Sequence, residues 1–273
     1  ANGNQSRNNG SGDIGWQGIG RISGRPWMID ETKFWHFGVS AGHTTVNNQY
    51  RADGTFSQAN ATAGQNSGGM SFVGFLGTNV DRTNVLNTGN LTSGSNDSPD
   101  ARRIDSYDRY GAETALVYGP FSAQAEYLRT NINGLNYSGE HLTGYYGYLS
   151  YFLTGESRAY HVRNGAWNRI VPNKSFHWNG TGLGAWEFAV GYDYLNMNNG
   201  KIRGGEADMI RFALNWYPHT HVRVMTNVNH VLNLNTAGVV NYNAAGEPIA
   251  NDRSQGFHDA NITSFLTRVQ VDF

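Results

Sequence analysis

Apolar and polar residues alternate with a period of two along most of the chain. The clearest case is Asn261 to Phe273, where Phe265, Thr267, Val269, Val271 and Phe273 interleave with Leu266, Arg268, Gln270 and Asp272. Such alternation predicts a strand with an apolar environment on one side and a polar one on the other. The pattern recurs at Gly184 to Tyr194, Met209 to Tyr217 and His221 to Asn229. Further strands are expected at Trp16 to Arg25, Lys33 to Gly42 (Trp35, Phe37 and Val39 outward), Arg109 to Tyr118, Phe121 to Thr130 and Leu142 to Leu153, with an extra short piece near Gly69 to Gly77. No segment carries a convincing helical period. The expectation is an all-β, antiparallel chain of about nine strands.

The connections set the orientation. Gly119-Pro120 and Pro218-His219 read as short turns, whereas Thr44 to Asp108 and Leu232 to Ala260 are long, rich in Asn, Gly, Ser and Thr, and too polar for a core. Outer-membrane barrels have short periplasmic turns and long extracellular loops, so the short turns and the C-terminus are assigned to the periplasm. One segment breaks the rule. Thr154 to Gly182 falls on the turn side yet is long, and is expected to fold back under or into the barrel, placing Arg158, Arg163, Arg169 and Lys174 near the pore exit. Tyr118, Phe121, Trp216 and Tyr217 cluster beside the turns, as aromatic side chains do at a membrane interface.

Composition narrows the alternatives. The chain has 273 residues with 35 Gly and no Cys, only 15% charged residues and a formal net charge of -1. Low charge argues against an ordinary soluble surface, and plentiful aromatics argue against disorder. The mean hydropathy of -0.53 and the lack of a long apolar run exclude a transmembrane helix, but a barrel needs only alternate residues to face lipid. Without cysteine there is no disulfide framework to read. The opening Ala-Asn-Gly-Asn-Gln carries no export signal, so any such signal has been removed or lies upstream.

Several tags then stand out in order: Glu113, Gly119-Pro120-Phe121, Glu126, Tyr151-Phe152-Leu153-Thr154-Gly155-Glu156-Ser157-Arg158, Gly184-Ala185-Trp186-Glu187, Asn215-Trp216-Tyr217 and Thr267-Arg268-Val269-Gln270-Val271-Asp272-Phe273. Together they resemble the phosphate-selective porin O and P family over Trp16 to Phe273. The resemblance implies an antiparallel transmembrane β-barrel of sixteen strands in the outer membrane of a Gram-negative bacterium. It implies a homotrimer passing small anions, phosphate or polyphosphate, through a pore lined by arginines and lysines. Nine strands cannot make sixteen, and the family's N-terminal half has no counterpart here. The expectation is therefore a single barrel domain over residues 1–273, the C-terminal part of a larger barrel, with residues 1–15 loop-like. An upstream segment or a second chain would supply the remaining strands, outer-membrane lipids would surround it, and Phe273 would serve barrel assembly.

Candidate pore residues follow from the polar phase of the strands. Arg21, Arg25, Arg109, Arg211, Arg223 and Arg268 share it with Glu113, Glu126, Glu187 and Asp193. Guanidinium groups bind phosphate oxygens in pairs and stay charged, and rings of arginine favour anion pores. The arginines either meet passing anions or pair with the carboxylates and brace the wall. Gly38-Val39-Ser40-Ala41-Gly42 has the spacing of a hydrolase nucleophile elbow, but that elbow needs a strand-to-helix turn. Gly18 to Gly24 misses the dinucleotide spacing and lacks its βαβ unit. His219 and His221 lack a third metal ligand nearby. Asp252, His258 and Asp259 sit in a long loop. A near-neutral chain without a basic patch points away from nucleic acid, and neither a cofactor nor a metal is expected. The leading expectation is a passive anion porin and not an enzyme. The alternative is a barrel plugged by its loops and serving as an outer-membrane scaffold.

Overall fold

The structure, a computed structural model, describes residues 16–46, 71–75, 77, 85–89, 91, 102–161, 165–236 and 258–272. Nine strands form one antiparallel sheet in which each wall strand pairs with the wall strand that precedes it in the chain. They are β1 (Gln17–Asp30), β2 (Lys33–Thr45), β5 (Arg103–Tyr118), β6 (Phe121–Leu135), β7 (His141–Phe152), β10 (Ala185–Asn199), β11 (Ile202–His219), β12 (Val222–Asn235) and β13 (Thr263–Val271). Two small pairs lie off the sheet: β3 (Val73–Gly74) with β4 (Leu86–Asn87), and β8 (Tyr160–His161) with β9 (Ala166–Trp167). No helix is present among the described residues.

The nine wall strands are those expected, but most run further. Beyond Tyr194 and before Met209 the alternation is diluted by Asn, Gly and Asp, and yet β10 and β11 continue to a tight turn at Gly200-Lys201, with Asn199 opposite Ile202. Gly200 has φ 55°, the left-handed conformation that two-residue hairpins require. The connection from β6 to β7 is also short, running from Asn136 to Glu140. Long and short connections therefore mix at that end, and the expected alternation in length does not hold. The expected turn at Pro218-His219 is also displaced: His219 pairs with Val222, so the turn is Thr220-His221. Gly119-Pro120 is a turn as expected, closing Tyr118 onto Phe121.

Cross-strand pairing sorts the side chains onto two faces. On the outer face Trp35, Phe37, Leu116, Leu149, Phe188, Phe212, Leu214 and Phe265 are all exposed, Phe265 to 72%. An apolar surface of this extent marks a membrane or protein contact rather than water. Aromatic rows bound it. From Phe121 to Tyr127, from Tyr151 back to Tyr145 and from Trp186 to Tyr192 the rows lie six positions apart. That spacing is roughly 20 Å at strand rise, close to the height of about 25 Å of a barrel's apolar band.

The inner face is covered by two inserted segments. At the end of the sheet that carries the Gly200-Lys201 turn, Val85, Leu86 and Leu91 pack with Ile104, Tyr107, Ile132, Leu142, Met197, Met209, Val231 and Leu234 in one buried cluster. This corrects the reading of Thr44 to Asp108 as too polar for a core: its few apolar residues are the ones that turn inward. At the opposite end, residues 154–161 and 165–170 lie against the inner face as a strap, and Phe176 packs beside Trp216 at the sheet's rim. Tyr160 reaches His36, Trp167 reaches Gln124, and Arg21 reaches the Gly165 carbonyl.

Candidate functional site

All ten charged residues expected in the wall lie on the inner face. Register shows how. Arg21 opposes Ser40, Arg109 opposes Gly42, and Glu113 opposes both Gly38 and Glu126. On the far strands Glu187 opposes Asn215, Arg211 opposes Asn229, Arg223 opposes Gln270 and Arg268 opposes Met225. Asp193 shares the phase of Glu187. Arg25 sits in an irregularity of β1 between Gly24 and Trp27 that turns it inward, its guanidinium 5.4 Å from the Phe34 ring centre and 5.2 Å from that of Tyr160.

These charges fall into two groups. In the first, arginine meets carboxylate. Arg21 and Glu113 form an ion pair, Arg25 meets Glu31 at 3.3 Å, and Arg211 grips both oxygens of Asp193. Glu113 also faces Glu126 directly, an arrangement of like charges that costs stability, so Arg21 is needed where it stands. His36, which the alternating pattern does not single out, completes this network. His36 is only 5% exposed; its Nε2 lies 2.8 Å from Glu113 Oε1 and its Nδ1 2.7 Å from the Tyr160 hydroxyl. A neutral ring satisfies both contacts, donating to the carboxylate and accepting from the phenol. Burial pushes the Tyr160 hydroxyl above its ordinary value, which keeps it a donor.

In the second group no carboxylate among the described residues pairs with the guanidinium. Arg158 contacts the Tyr148 hydroxyl and lies 4.0 Å from the Trp167 ring centre. Arg169 donates to His221 Nδ1 at 3.0 Å. Arg223 donates twice to Gln270 Oε1, at 2.6 and 3.0 Å. All three line one cavity of about 570 Å³ between the strap and strands β7, β10, β11 and β12. Two acids also line it, neither in an ion pair with these three guanidiniums. Glu187 accepts from Asn215 and Tyr217. Asp272 accepts from Gln270, and that bond, helped by Arg223 and Arg169, holds its carboxyl below the usual 3.8.

The remaining candidates are placed as follows. Arg109 rests over Tyr107, 5.4 Å from its ring centre, and Arg268 has no ion pair among the described residues. Lys174 follows the strap, and its carbonyl accepts from the Gly184 amide. Arg163, Phe273, Asp252 and residues 1–15 lie outside the described residues. Ser40 stands opposite Arg21 and Gly111 with no histidine or acid bonded to it among the described residues. His219 and His221 stack at 6.0 Å, and the described residues hold no group of three metal-binding side chains. His258 meets its neighbour Asp259 at 3.4 Å.

Comparison with known proteins decides the family. The model of the phosphate-selective porin O and P family matches residues 22–241. The chain belongs to that family. An uncharacterized protein of Caulobacter vibrioides is 32% identical over 164 residues, covering 60% of this chain and 30% of the relative. Porin O of Pseudomonas aeruginosa is 32% identical over 127 residues, covering 42% of this chain and 27% of the relative. The chain thus spans under a third of the length of these two relatives. For a porin of this family, the all-β antiparallel wall with an apolar outer face and a charged inner one is the transmembrane β-barrel wall. The described strands form an open sheet, with β1 and β13 at its two ends.

Proposed function

We propose that the chain is part of an outer-membrane channel through which small anions, phosphate and polyphosphate among them, diffuse passively. The observation that carries this reading is the cavity shared by Arg158, Arg169 and Arg223, three guanidiniums without a carboxylate partner among the described residues. In water such charges are solvated cheaply; beside a low-dielectric wall they attract anions across a longer range. Passage needs contacts weak enough to release the ion, and guanidiniums that already donate to Gln270, His221 and Tyr148 offer their remaining N–H groups without closing on the ligand.

In this reading Arg21, Arg25 and Arg211 brace the wall against Glu113, Glu31 and Asp193, while Arg109 and Arg268 extend the anion path. The turn end, with the strap, faces the periplasm of a Gram-negative cell, and the mixed-length connections face outward. Residues 1–273 act within one barrel domain, completed by strands from an upstream segment or a second chain and assembled as a homotrimer among outer-membrane lipids. The chemistry is permeation and not catalysis.

The test is the reversal potential of the purified native assembly in a planar bilayer under a potassium chloride gradient, repeated with phosphate. An anion-side potential with phosphate block is the expected result. A cation-side potential would mean that Glu113, Glu126, Glu187 and Asp193 dominate the pore and would overturn the reading.

A further inference from the structure

The arginine cavity is not lined by charge alone. Trp167, Ile170, Ala189 and Met225 line it too, an apolar surface that a purely inorganic ion has no use for. Its volume of about 570 Å³ falls within the range of roughly 300–1,000 Å³ found for sites that enclose small organic ligands. Tyr148, Asn168, Asn215, Tyr217 and Thr220 line the cavity as well, but the Tyr148 hydroxyl donates to Gln124 and the Asn215 amide and Tyr217 hydroxyl donate to Glu187, so Arg158, Arg169 and Arg223 are its charged donors.

From this pairing we infer that the cavity takes an organic anion with an apolar body, of the class of aryl or alkyl phosphate monoesters, in preference to inorganic phosphate. This rests on the anion-channel reading above. The phosphoryl end meets the guanidiniums, whose paired N–H groups match its oxygens, and the apolar body covers Met225, Ile170 and Ala189, releasing water from both surfaces. Trp167 cannot serve as a freely adjustable platform. Its Nε1 donates to Gln124 at 2.7 Å, and Arg158 lies over its ring, so the indole is a fixed wall that holds one guanidinium in place.

The experiment compares block of chloride current through the native assembly by inorganic phosphate and by phenyl phosphate, at a pH where both are dianions. The expected result is half-block by phenyl phosphate at about one tenth of the concentration needed for inorganic phosphate, the fold-change that burial of one small apolar group produces. Met225→Gln and Ala189→Ser, which place polar groups on the apolar side chains' share of the lining, each narrow the ratio between the two half-block concentrations. Equal block by the two anions overturns the inference, as does an advantage that survives both substitutions. If neither anion blocks and the pore prefers cations, it is the anion-channel reading that fails instead. The wild-type comparison needs no variant to fold.

Discussion

Arg211 and Asp193 are diagonal neighbours across the β10–β11 ladder and form a two-point ion pair, with both carboxylate oxygens engaged. One strand on, Arg223 occupies the same inner face with a neutral partner, Gln270. The two arginines look equivalent in the alternating pattern, and the difference between them lies in which side chain on the neighbouring strand each can reach.

Neutralising the acid should therefore release the braced arginine. Asp193→Asn leaves the Arg211 guanidinium without its counter-charge, and the reversal potential in a salt gradient is expected to move further to the anion side. Arg211→Gln should move it the other way by leaving Asp193 unpaired.

Removing guanidiniums from the cavity should act in one direction only. Arg223→Gln and Arg169→Gln are each expected to reduce anion preference and to weaken phosphate block severalfold, since neither substitution frees a carboxylate that was previously paired. Single-channel currents in chloride and phosphate measure both effects. A variant with unchanged phosphate block would remove that arginine from the anion path.

His36 is expected to matter for stability. His36→Ala leaves Glu113 and the Tyr160 hydroxyl each short of a partner within a buried network, at a cost of about 1–3 kcal/mol. The denaturant midpoint of the folded porin in detergent should fall, and current noise should rise as the strap loses its hold on β2. His36→Gln, which can still bridge both groups, should recover part of the loss.

Backbone geometry gives a fourth prediction. Gly184 has φ 72°, and a Cβ there would lie 2.6 Å from the Tyr217 carbonyl oxygen. Gly184→Ala should destabilise the junction of strap and β10 by about 1–3 kcal/mol, again read from the denaturant midpoint. Gly119→Ala meets no neighbouring atom and should cost less, since only its φ of 59° is unfavourable.

Acid should strengthen anion preference through Asp272. Its hydrogen bond from Gln270, with Arg223 and Arg169 nearby, lowers its carboxyl below 3.8. The stabilisation from this charge is present above the unfolded value and is lost as pH falls through the lower folded value. Reversal potentials measured downward from neutral pH should stay flat for this group until below about 3.8, then shift to the anion side. Asp272→Asn should remove that step.

The strands were legible because each wall residue has lipid on one side and water on the other, a contrast that period two expresses directly. Their ends were less so. Beyond the lipid the two faces meet similar surroundings, and from Asn198 to Glu206 the only large apolar side chain is Ile202. Arg21 and Arg211 could be assigned to the inner face from phase alone. Their acid partners could not, because Glu113 lies 92 positions from Arg21 and pairing depends on register. The contact between His36 and Tyr160 spans 124 positions and leaves no local trace. The burial of Val85, Leu86 and Leu91 was hidden for a different reason: a few apolar residues in a polar stretch do not change its average.

The two segments on the inner face divide it lengthwise into unlike halves. Near the long connections lies the dry cluster around Leu86 and Ile104, and near the turns lies the cavity of Arg158, Arg169 and Arg223. In the proposed channel, an ion crossing under an applied voltage meets the guanidiniums that lack carboxylate partners close to one mouth. A pore so graded conducts more readily with one polarity than with the other, and the sign of that rectification reports which way the protein is inserted.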